Sequence, residues 1–574
     1  MPKVDTTVRE LVDMVGRGEL RLPEMQRRYV WRATRVRDLI DSLYRGYPSG
    51  AVLVWETDQD APTRDLDVTQ ATSAFATHKL LLDGQQRVTS LRAVLCDEPI
   101  RVRGRKKPID ILFNLEHPEG APVELTEVDD DSESPFLADD DSALDEEEDD
   151  ADDLQQRLRK RTFVVASKAL AVIPTWIRVS DVFNPKKGDW ALLKSLGLQP
   201  DDPLYEKYSQ RLQKLRAIQQ YQYVMHVLDR KLSYEEVAEI FVRVNSLGVK
   251  LRSSDLAMAQ VTARWQNSLR LFEEFGEDLD NKSWFTLDTG LLVRTMVVFA
   301  TGQSRFKTVQ NISVPKMKSS WEIAKESLQF AVNFLKANCG IEDESLLTNP
   351  SLVIALAAFG AARKQKFSKK DERQLRQWTF IANARGRYSR GSTETLLDQD
   401  LNIIFKTGSL DELMASLKQQ LGRLHVEPGD LVGRGARSSL FPTTYLALKQ
   451  RDAKDWVSGL GLSLTHQGKM HYIEYHHIFP KSLLAKRDYE KAEINEIANF
   501  AFISGRANRA ITNKEPKKYL PEVIKTRGEE ALTGQLIPTD PALWELDAYP
   551  AFLEWRRTRL AAELNRLLGV SPSD

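Results

Sequence analysis

Between Glu127 and Asp153 the chain carries 16 aspartates and glutamates and no lysine or arginine. Such a block cannot enter a hydrophobic core, because a buried unpaired carboxylate costs several kcal/mol or about that order. Any domain that surrounds it must therefore treat it as an insert. The block also hides the character of everything else. Outside it stand 81 basic against 66 acidic side chains, a balance of +15 behind a formal net charge of −1. A basic body suits a polyanionic partner. The insert is then either a solvated, disordered loop or a competitor for the surface that the partner uses.

The chain is 574 residues long with 42% hydrophobic residues, too long for one core and apolar enough for at least two domains. Cys96 and Cys339 are the only cysteines, which excludes a disulfide framework and a Cys-rich zinc site and fits a reducing, cytoplasmic location. The longest apolar run, Leu352 to Ala362, is too short to span a bilayer, and the N-terminal segment MPKVDTTVRELVDMV has no apolar signal core. No membrane partner is expected. No repeat of solenoid length is visible.

Periodicity places helices over Thr7 to Val15 and Thr34 to Arg45, the second with Val36, Leu39, Ile40 and Leu43 on one face and Gly46, Pro48 and Gly50 beyond its end. Ala51 to Glu56, His78 to Asp83 and Ile109 to Asn114 read as buried strands, with a helix from Val88. Residues 154 to 450 are mostly helical in period, as in Tyr234 to Asn245 and Ser351 to Lys364, and Ala551 to Leu568 is amphipathic. Cys96 is expected in a helix core. His78, His117, His226, His425 and His466 are isolated and read as surface or satisfied histidines.

The segment Asp83-Gly-Gln-Gln-Arg-Val-Thr-Ser90 takes a strand straight into a helix. Free backbone N–H groups and the positive helix end at Gln85 and Gln86 make an anion site, Gly84 allows close approach, and Arg87 has the fork to clamp phosphate oxygens. Asp83 suits a metal or a sugar hydroxyl. By spacing alone, an ordinary Asp-Gly turn explains the same residues.

Three further motifs stand in order around it: Leu22-Pro-Glu-Met-Gln-Arg-Arg-Tyr-Val-Trp31, Gly46-Tyr-Pro-Ser-Gly50, and Phe241-Val-Arg-Val-Asn-Ser-Leu-Gly-Val-Lys-Leu251 with Ser254-Asp-Leu256. Together the four resemble the N-terminal domain of the GmrSD-like and SspE-like modification-dependent (type IV) restriction proteins over roughly residues 5 to 260. The resemblance implies a ParB/sulfiredoxin-like α/β domain that binds and hydrolyses a nucleoside triphosphate through Asp83, Gly84, Gln85, Gln86 and Arg87, with Gln26, Arg27, Tyr29 and Trp31 beside the same pocket. It also implies inspection of modified DNA by this domain. Tyr29 and Trp31 are either base-stacking platforms or core anchors, and Asn245 and Gly248 have a helix-capping alternative.

Near the C-terminus, Glu474-Tyr-His-His-Ile-Phe-Pro480 is followed by Asn499 and Asn508, with Arg509, Asn513, Lys514 and Pro516 behind. A divalent ion held by few ligands leaves positions for a scissile phosphate and water, and an adjacent histidine of near-neutral pKa takes the water's proton. In a regular strand His476 and His477 point to opposite faces, so one phosphate sees both only if the strand is broken. The pattern resembles the HNH (ββα-metal) nucleases over about residues 471 to 520. Residue by residue, the resemblance implies His477 as general base, His476 and Asn508 as metal ligands, Asn499 as the residue that orients base and loop, and Arg509 and Lys514 facing phosphate. His476 stands where Asp is more usual, which leaves Mg²⁺, Mn²⁺ or another divalent metal open. A core histidine pair with capping asparagines is the alternative. Gly433-Arg-Gly-Ala-Arg437 reads as a basic loop, either DNA contact or linker.

The expected architecture is α+β and multidomain: a nucleotide-binding domain over 1–126 continuing over 154–260, the acidic insert 127–153, a helical connection 261–425 and an HNH domain 426–574. The expected function is a nucleotide-regulated, metal-dependent endonuclease or nickase of bacterial anti-phage defence. Its partners are double-stranded DNA, modified or phage-derived, and a nucleotide, with a homo-oligomer left open because the C-terminal helix serves a dimer or the intramolecular core equally well. The alternatives are a DNA-sensing adaptor with an inactive HNH fold, and a nuclease triggered by a phage protein.

Overall fold

A computed structural model describes residues 2–26, 29, 31–58, 61–66, 68–71, 78–98, 109–120, 158–166, 170, 173–247, 253–283, 285–464 and 473–571. Arg27, Gly248, His466, the Asn245 side chain and the acidic insert lie outside that description. The protein is a mixed α+β structure in two compact units, one ending at Arg270 and the other running from Leu271.

The first unit is built on a six-stranded mixed sheet. Its strands are β1 (Lys3–Thr7), β2 (Leu20–Pro23), β3 (Val52–Thr57), β4 (Thr63–Arg64), β5 (His78–Asp83) and a later strand, Gln222–Leu228, in the order β1, Gln222–Leu228, β3, β5, β2, β4. The sheet is buried on both faces, and alternation along β3 and β5 sorts their apolar runs between two cores. Val52, Val54 and Leu81 join the core under α1 (Val8–Gly16), α2 (Ala33–Tyr44) and α3 (Gln85–Leu95), whereas Leu53, Trp55, Leu80 and Leu82 join the core with Val237, Ala238 and Phe241 of the Tyr234–Leu247 helix. A separate antiparallel sheet holds β6 (Ile111–Asn114) between β7 (Phe163–Val165) and β8 (Trp176–Arg178); in chain order Gln222–Leu228 is then β9.

The Ile109 to Asn114 segment is a strand as expected, over Ile111–Asn114, and lies in this smaller sheet. Two sequence expectations change here. Residues 154–228, read as mostly helical, supply β7, β8 and β9, and β9 sits inside the main sheet, parallel to β3. Its sequence QYVMHVL alternates exposed and buried positions until the last turn, a period that the surrounding helices mask. Cys96 is exposed rather than in the core, because α3 ends at Leu95 and Cys96 is already its C-cap.

In the second unit, helices dominate. Every residue from Ser351 to Gly360 of α4 (Ser351–Ala362) is buried, as expected of a helix apolar on all sides. The short hairpin of β10 (Ile473–His477) and β11 (Phe500–Ser504) pairs antiparallel without a register shift. Phe441 of α5 (Leu440–Gln450), itself fully buried, packs its ring against Tyr475, Phe500 and Phe502, a burial that stabilises by about 2–3 kcal/mol. β11 runs directly into α6 (Gly505–Ile511), whose N-cap Ser504 accepts a hydrogen bond from Ala507 N. The free edge of β11 is closed by a side chain: Gln535 bonds both the N–H and the C=O of Phe502. Arg556 of α7 (Tyr549–Leu568), fully buried, donates to the carbonyls of Ala498, Gln535 and Leu536 and so fixes the loop before β11.

Candidate functional site

Two clusters gather the residues singled out by sequence. In the first unit, the cluster forms around the first turn of α3. Gly84 adopts φ +99°, the left-handed conformation that lets β5 turn into the helix within one residue. Gln26 is 5% exposed, and its amide donates to the carbonyls of Leu82 (2.6 Å) and Leu81 (3.4 Å). The backbone N–H of Trp31 donates to Gln86 Oε1 at 3.1 Å, and Tyr29 shares a 2.7 Å hydrogen bond with Ser90. Arg87 donates to the carbonyls of Ser49 (2.6 Å) and Ala51 (2.8 Å), and to Asp83 at 3.2 Å.

Three of the sequence motifs thus meet at one helix end. Asp83 stands partly exposed at its rim, while Tyr29 is an interior residue with 4% exposure and Trp31 packs against the core. Base stacking by Tyr29 has no open face in this arrangement. Arg87 is held by backbone carbonyls, so its first duty is to shape the Ser49–Ala51 turn.

In the second unit, the cluster is strand, strand, helix. Cross-strand partners share a face, so Tyr475, His477, Phe500 and Phe502 lie on the α5 side, and Glu474 and His476 on the other. No bulge breaks β10, so the two histidines point to opposite faces. The His476 ring packs edge-on against Trp456 and Tyr519, 4% exposed. Its Nδ1 lies 2.7 Å from Asn508 Oδ1, and Asn508 Nδ2 lies 2.6 Å from Glu474 Oε2. The carboxylate fixes the amide orientation, so Asn508 offers its oxygen to the ring and Nδ1 carries the proton. Burial pushes the His476 pKa down to about 4, leaving a neutral imidazole whose Nε2 is buried without a hydrogen-bond partner among the described residues.

His477 is oriented from the other side. Its Nε2 lies 3.0 Å from Asn495 Oδ1, and Asn495 Nδ2 donates to the Lys491 carbonyl, so the ring donates through Nε2 and keeps a lone pair on Nδ1. Burial first, and then the charge of Lys481, push its pKa down to about 3, which holds it neutral at physiological pH. Asn499, expected to orient this base, instead bonds the backbone of Phe479 and the Ile494 carbonyl, fully buried; it shapes the loop, and Asn495 holds the ring. Arg509 and Lys514 are exposed, Arg509 with a distant ion pair to Glu474 at 3.9 Å.

Sequence reasoning missed Glu474 and Asn495. Period two along β10 puts Glu474 beside His476 and was available; Asn495 comes from a loop whose path only the fold reveals. Among the described residues no group of three or more His, Cys, Asp or Glu side chains forms a metal-holding cluster. The fit to a divalent ion therefore rests on a mixed donor set. His476 Nδ1 and Asn508 Oδ1 stand 2.7 Å apart, a hydrogen-bond distance, so they would have to part slightly and Nδ1 give up its proton to bind one cation side by side, with Glu474 behind. Among the described residues Nε2 has no hydrogen-bond partner, so the tautomer that frees Nδ1 for a metal would leave a buried N–H on Nε2 without an acceptor.

Residues 8–262 match the family model described as GmrSD restriction endonuclease, N-terminal domain. The chain is also similar to an uncharacterized protein of Methanocaldococcus jannaschii, MJ0686, with 22% identity over 564 residues, covering 91% of this chain and 88% of that one. The first similarity covers the first unit and leaves the second unit unmatched by that model. No helix among the described residues is long and apolar enough to cross a membrane.

Proposed function

We propose that the chain is a divalent-metal-dependent DNA endonuclease or nickase of bacterial anti-phage defence, regulated by a nucleoside triphosphate and acting on modified DNA in the cytoplasm. On this reading the first unit is a ParB/sulfiredoxin-like domain that takes the nucleotide at the Asp83–Arg87 turn, and the strand–strand–helix cluster is an HNH nuclease centre. The observation that carries the proposal is the pair of neutral, separately oriented histidines, each with its own asparagine, at the start of a ββα segment.

His477 supplies a lone pair at Nδ1 to take a proton from the attacking water, while Asn495 keeps the ring from rotating. A scissile phosphate arriving beside the ring stabilises the imidazolium that results, raising the pKa that burial depresses. His476 and Asn508 would hold Mg²⁺ or Mn²⁺, with Glu474 orienting Asn508. Such an ion, when bound, stabilises charge on the phosphate and leaving oxygen. Arg509 and Lys514, exposed on and after α6, suit contact with the DNA backbone.

A second reading, a DNA-sensing adaptor with an inactive centre, is favoured by one observation: the unbroken β10 aims the two histidines apart. Cleavage of paired modified and unmodified phage DNAs by wild type, His477→Ala and His476→Ala, with Mg²⁺ or Mn²⁺ and with or without each nucleoside triphosphate, decides between them. The nuclease reading expects cutting by wild type that both variants abolish. No cutting under any condition, with DNA binding retained, favours the adaptor or a nuclease that awaits a phage-encoded trigger.

A further inference from the structure

The second unit contains a cationic cavity of about 500 Å³ away from both clusters in sequence. Arg385, Arg390, Arg434 and Arg437 line it, and Asp430 is the one carboxylate among the lining residues, a net of three positive charges. Helices α4 and α5 start at its wall, but Asn349 accepts from Ser351 N at 2.9 Å and Ser438 from Leu440 N at 3.3 Å, so the arginines rather than free helix ends supply the positive field. Arg385 is 6% exposed; it donates to Asp430 at 3.1 Å, and its Nε is buried with no partner among the described residues. Arg390, Arg434 and Arg437 are exposed at the mouth and make no side-chain ion pair or hydrogen bond with any described residue.

Unpaired arginines crowded together repel one another. Arg390 is held below the usual arginine pKa, by partial burial first and then by Arg385 and Arg434. An anion removes that repulsion. One phosphate group carries about −1.5 to −2 charge, so two such groups match the lining. The volume is that of a small-ligand site rather than of a duplex groove. A duplex backbone touches the exposed arginines, but only a compact terminal phosphate reaches buried Arg385.

We propose that this cavity binds a small anion with at least two phosphate groups, and that its occupancy positions His477. The link runs through the Gly433–Arg437 loop, which carries two of the arginines. Gly433 N donates to Glu496 Oε2 at 3.0 Å, Ile497 N donates to the Arg434 carbonyl at 2.7 Å, and Asn495 in the same loop holds His477. A ligand that draws Arg434 and Arg437 inward therefore moves the support of the histidine. The link to catalysis rests on the nuclease reading; the binding does not.

Calorimetric titration of the full chain with inorganic pyrophosphate tests the site. The expected result is binding by wild type and by Asp83→Asn alike, weakened about tenfold or more in Arg390→Gln/Arg437→Gln, whose substituted side chains are exposed. Absence of binding in wild type, or equal affinity in the double variant, overturns the proposal. So does loss of short-duplex DNA binding in the double variant with no pyrophosphate binding at all, which marks the arginines as a DNA contact. The link is read without any cleavage assay, from the rate of diethyl pyrocarbonate modification of His477 by mass spectrometry. Pyrophosphate should change that rate severalfold in wild type and leave the double variant unaffected; an unchanged rate in wild type with binding intact overturns the coupling. Because neither readout needs DNA cleavage, an inactive nuclease centre leaves both results interpretable.

Discussion

The guanidinium of Arg87 lies 2.6 Å from the carbonyl oxygen of Ser49, and this bond ties the turn after α2 to the first turn of α3. Gly50 sits under the same guanidinium with φ +93°; a Cβ there would stand 2.5 Å from Arg87 Nη1. Gly50→Ala should therefore destabilise the protein by about 2 kcal/mol, from backbone strain and displacement of Arg87 together, read as a lowered thermal midpoint. Arg87→Lys should cost a similar amount, because an ammonium cannot bridge two carbonyls and a carboxylate with one fork. Asp83→Asn, partly exposed, should leave stability within about 0.5 kcal/mol and weaken nucleotide binding. Equal stability losses in all three would remove the distinction between clasp and ligand site.

Glu474 orients Asn508, which in turn orients His476. Replacing such an outer partner of a metal ligand costs about 10- to 100-fold in metal affinity. Mn²⁺ titration of Glu474→Gln should show that loss, and of His476→Ala a larger one, while His477→Ala retains wild-type affinity. Wild-type Mn²⁺ affinity in Glu474→Gln would detach this carboxylate from the centre.

Asn495 holds the candidate base, and Gly435 packs beneath it: a Cβ at Gly435 would lie 2.8 Å from the Asn495 carbonyl oxygen. Asn495→Ala should lower the rate of DNA cleavage about 10- to 100-fold with Mn²⁺ affinity unchanged. Gly435→Ala, which leaves every polar group in place, should lower it in the same direction by shifting the loop. An unaltered rate in both variants would mean that the ring needs no support from this side.

His117 provides a pH test that uses none of the site residues. It is 7% exposed, donates from Nδ1 to the Pro118 carbonyl (2.8 Å) and accepts from Tyr44 at Nε2 (3.0 Å). Burial pushes its pKa from 6.5 down to about 4. The unfolded chain then binds a proton at a higher pH than the folded one, so its contribution is complete above about pH 6.5 and is lost as pH falls toward 4. The loss is of order 3 kcal/mol. Denaturation curves between those limits should flatten in His117→Gln, which keeps an acceptor for Tyr44 but does not titrate. A slope as steep as wild type would assign the acid sensitivity elsewhere.

The helices and the first two buried strands were legible because their signals are local. The stripe Val36, Leu39, Ile40, Leu43 and the stop chemistry after it place α2 within a residue, and His78–Asp83 is a strand with the bounds that its apolar run predicts. Gln26, Gln86 and Arg87 each tie one of the ordered motifs to the β5–α3 junction, a placement that the family resemblance implied and no local signal did. Three-dimensional pairing decided the rest. β9 joins the main sheet because β1 and β3, some 170 to 220 residues earlier, offer it two open edges, and its own alternation names neither partner. Arg87, typed by sequence as a phosphate clamp, is committed to carbonyls that only the fold brings near. The sequence by itself determined which residue types carry the chemistry, since charge, hydrogen-bonding capacity and period are properties of the chain. Which nitrogen of His477 keeps its lone pair, and that Asn495 rather than Asn499 fixes it, was decided by tertiary structure, because ring orientation depends on groups that approach from distant loops.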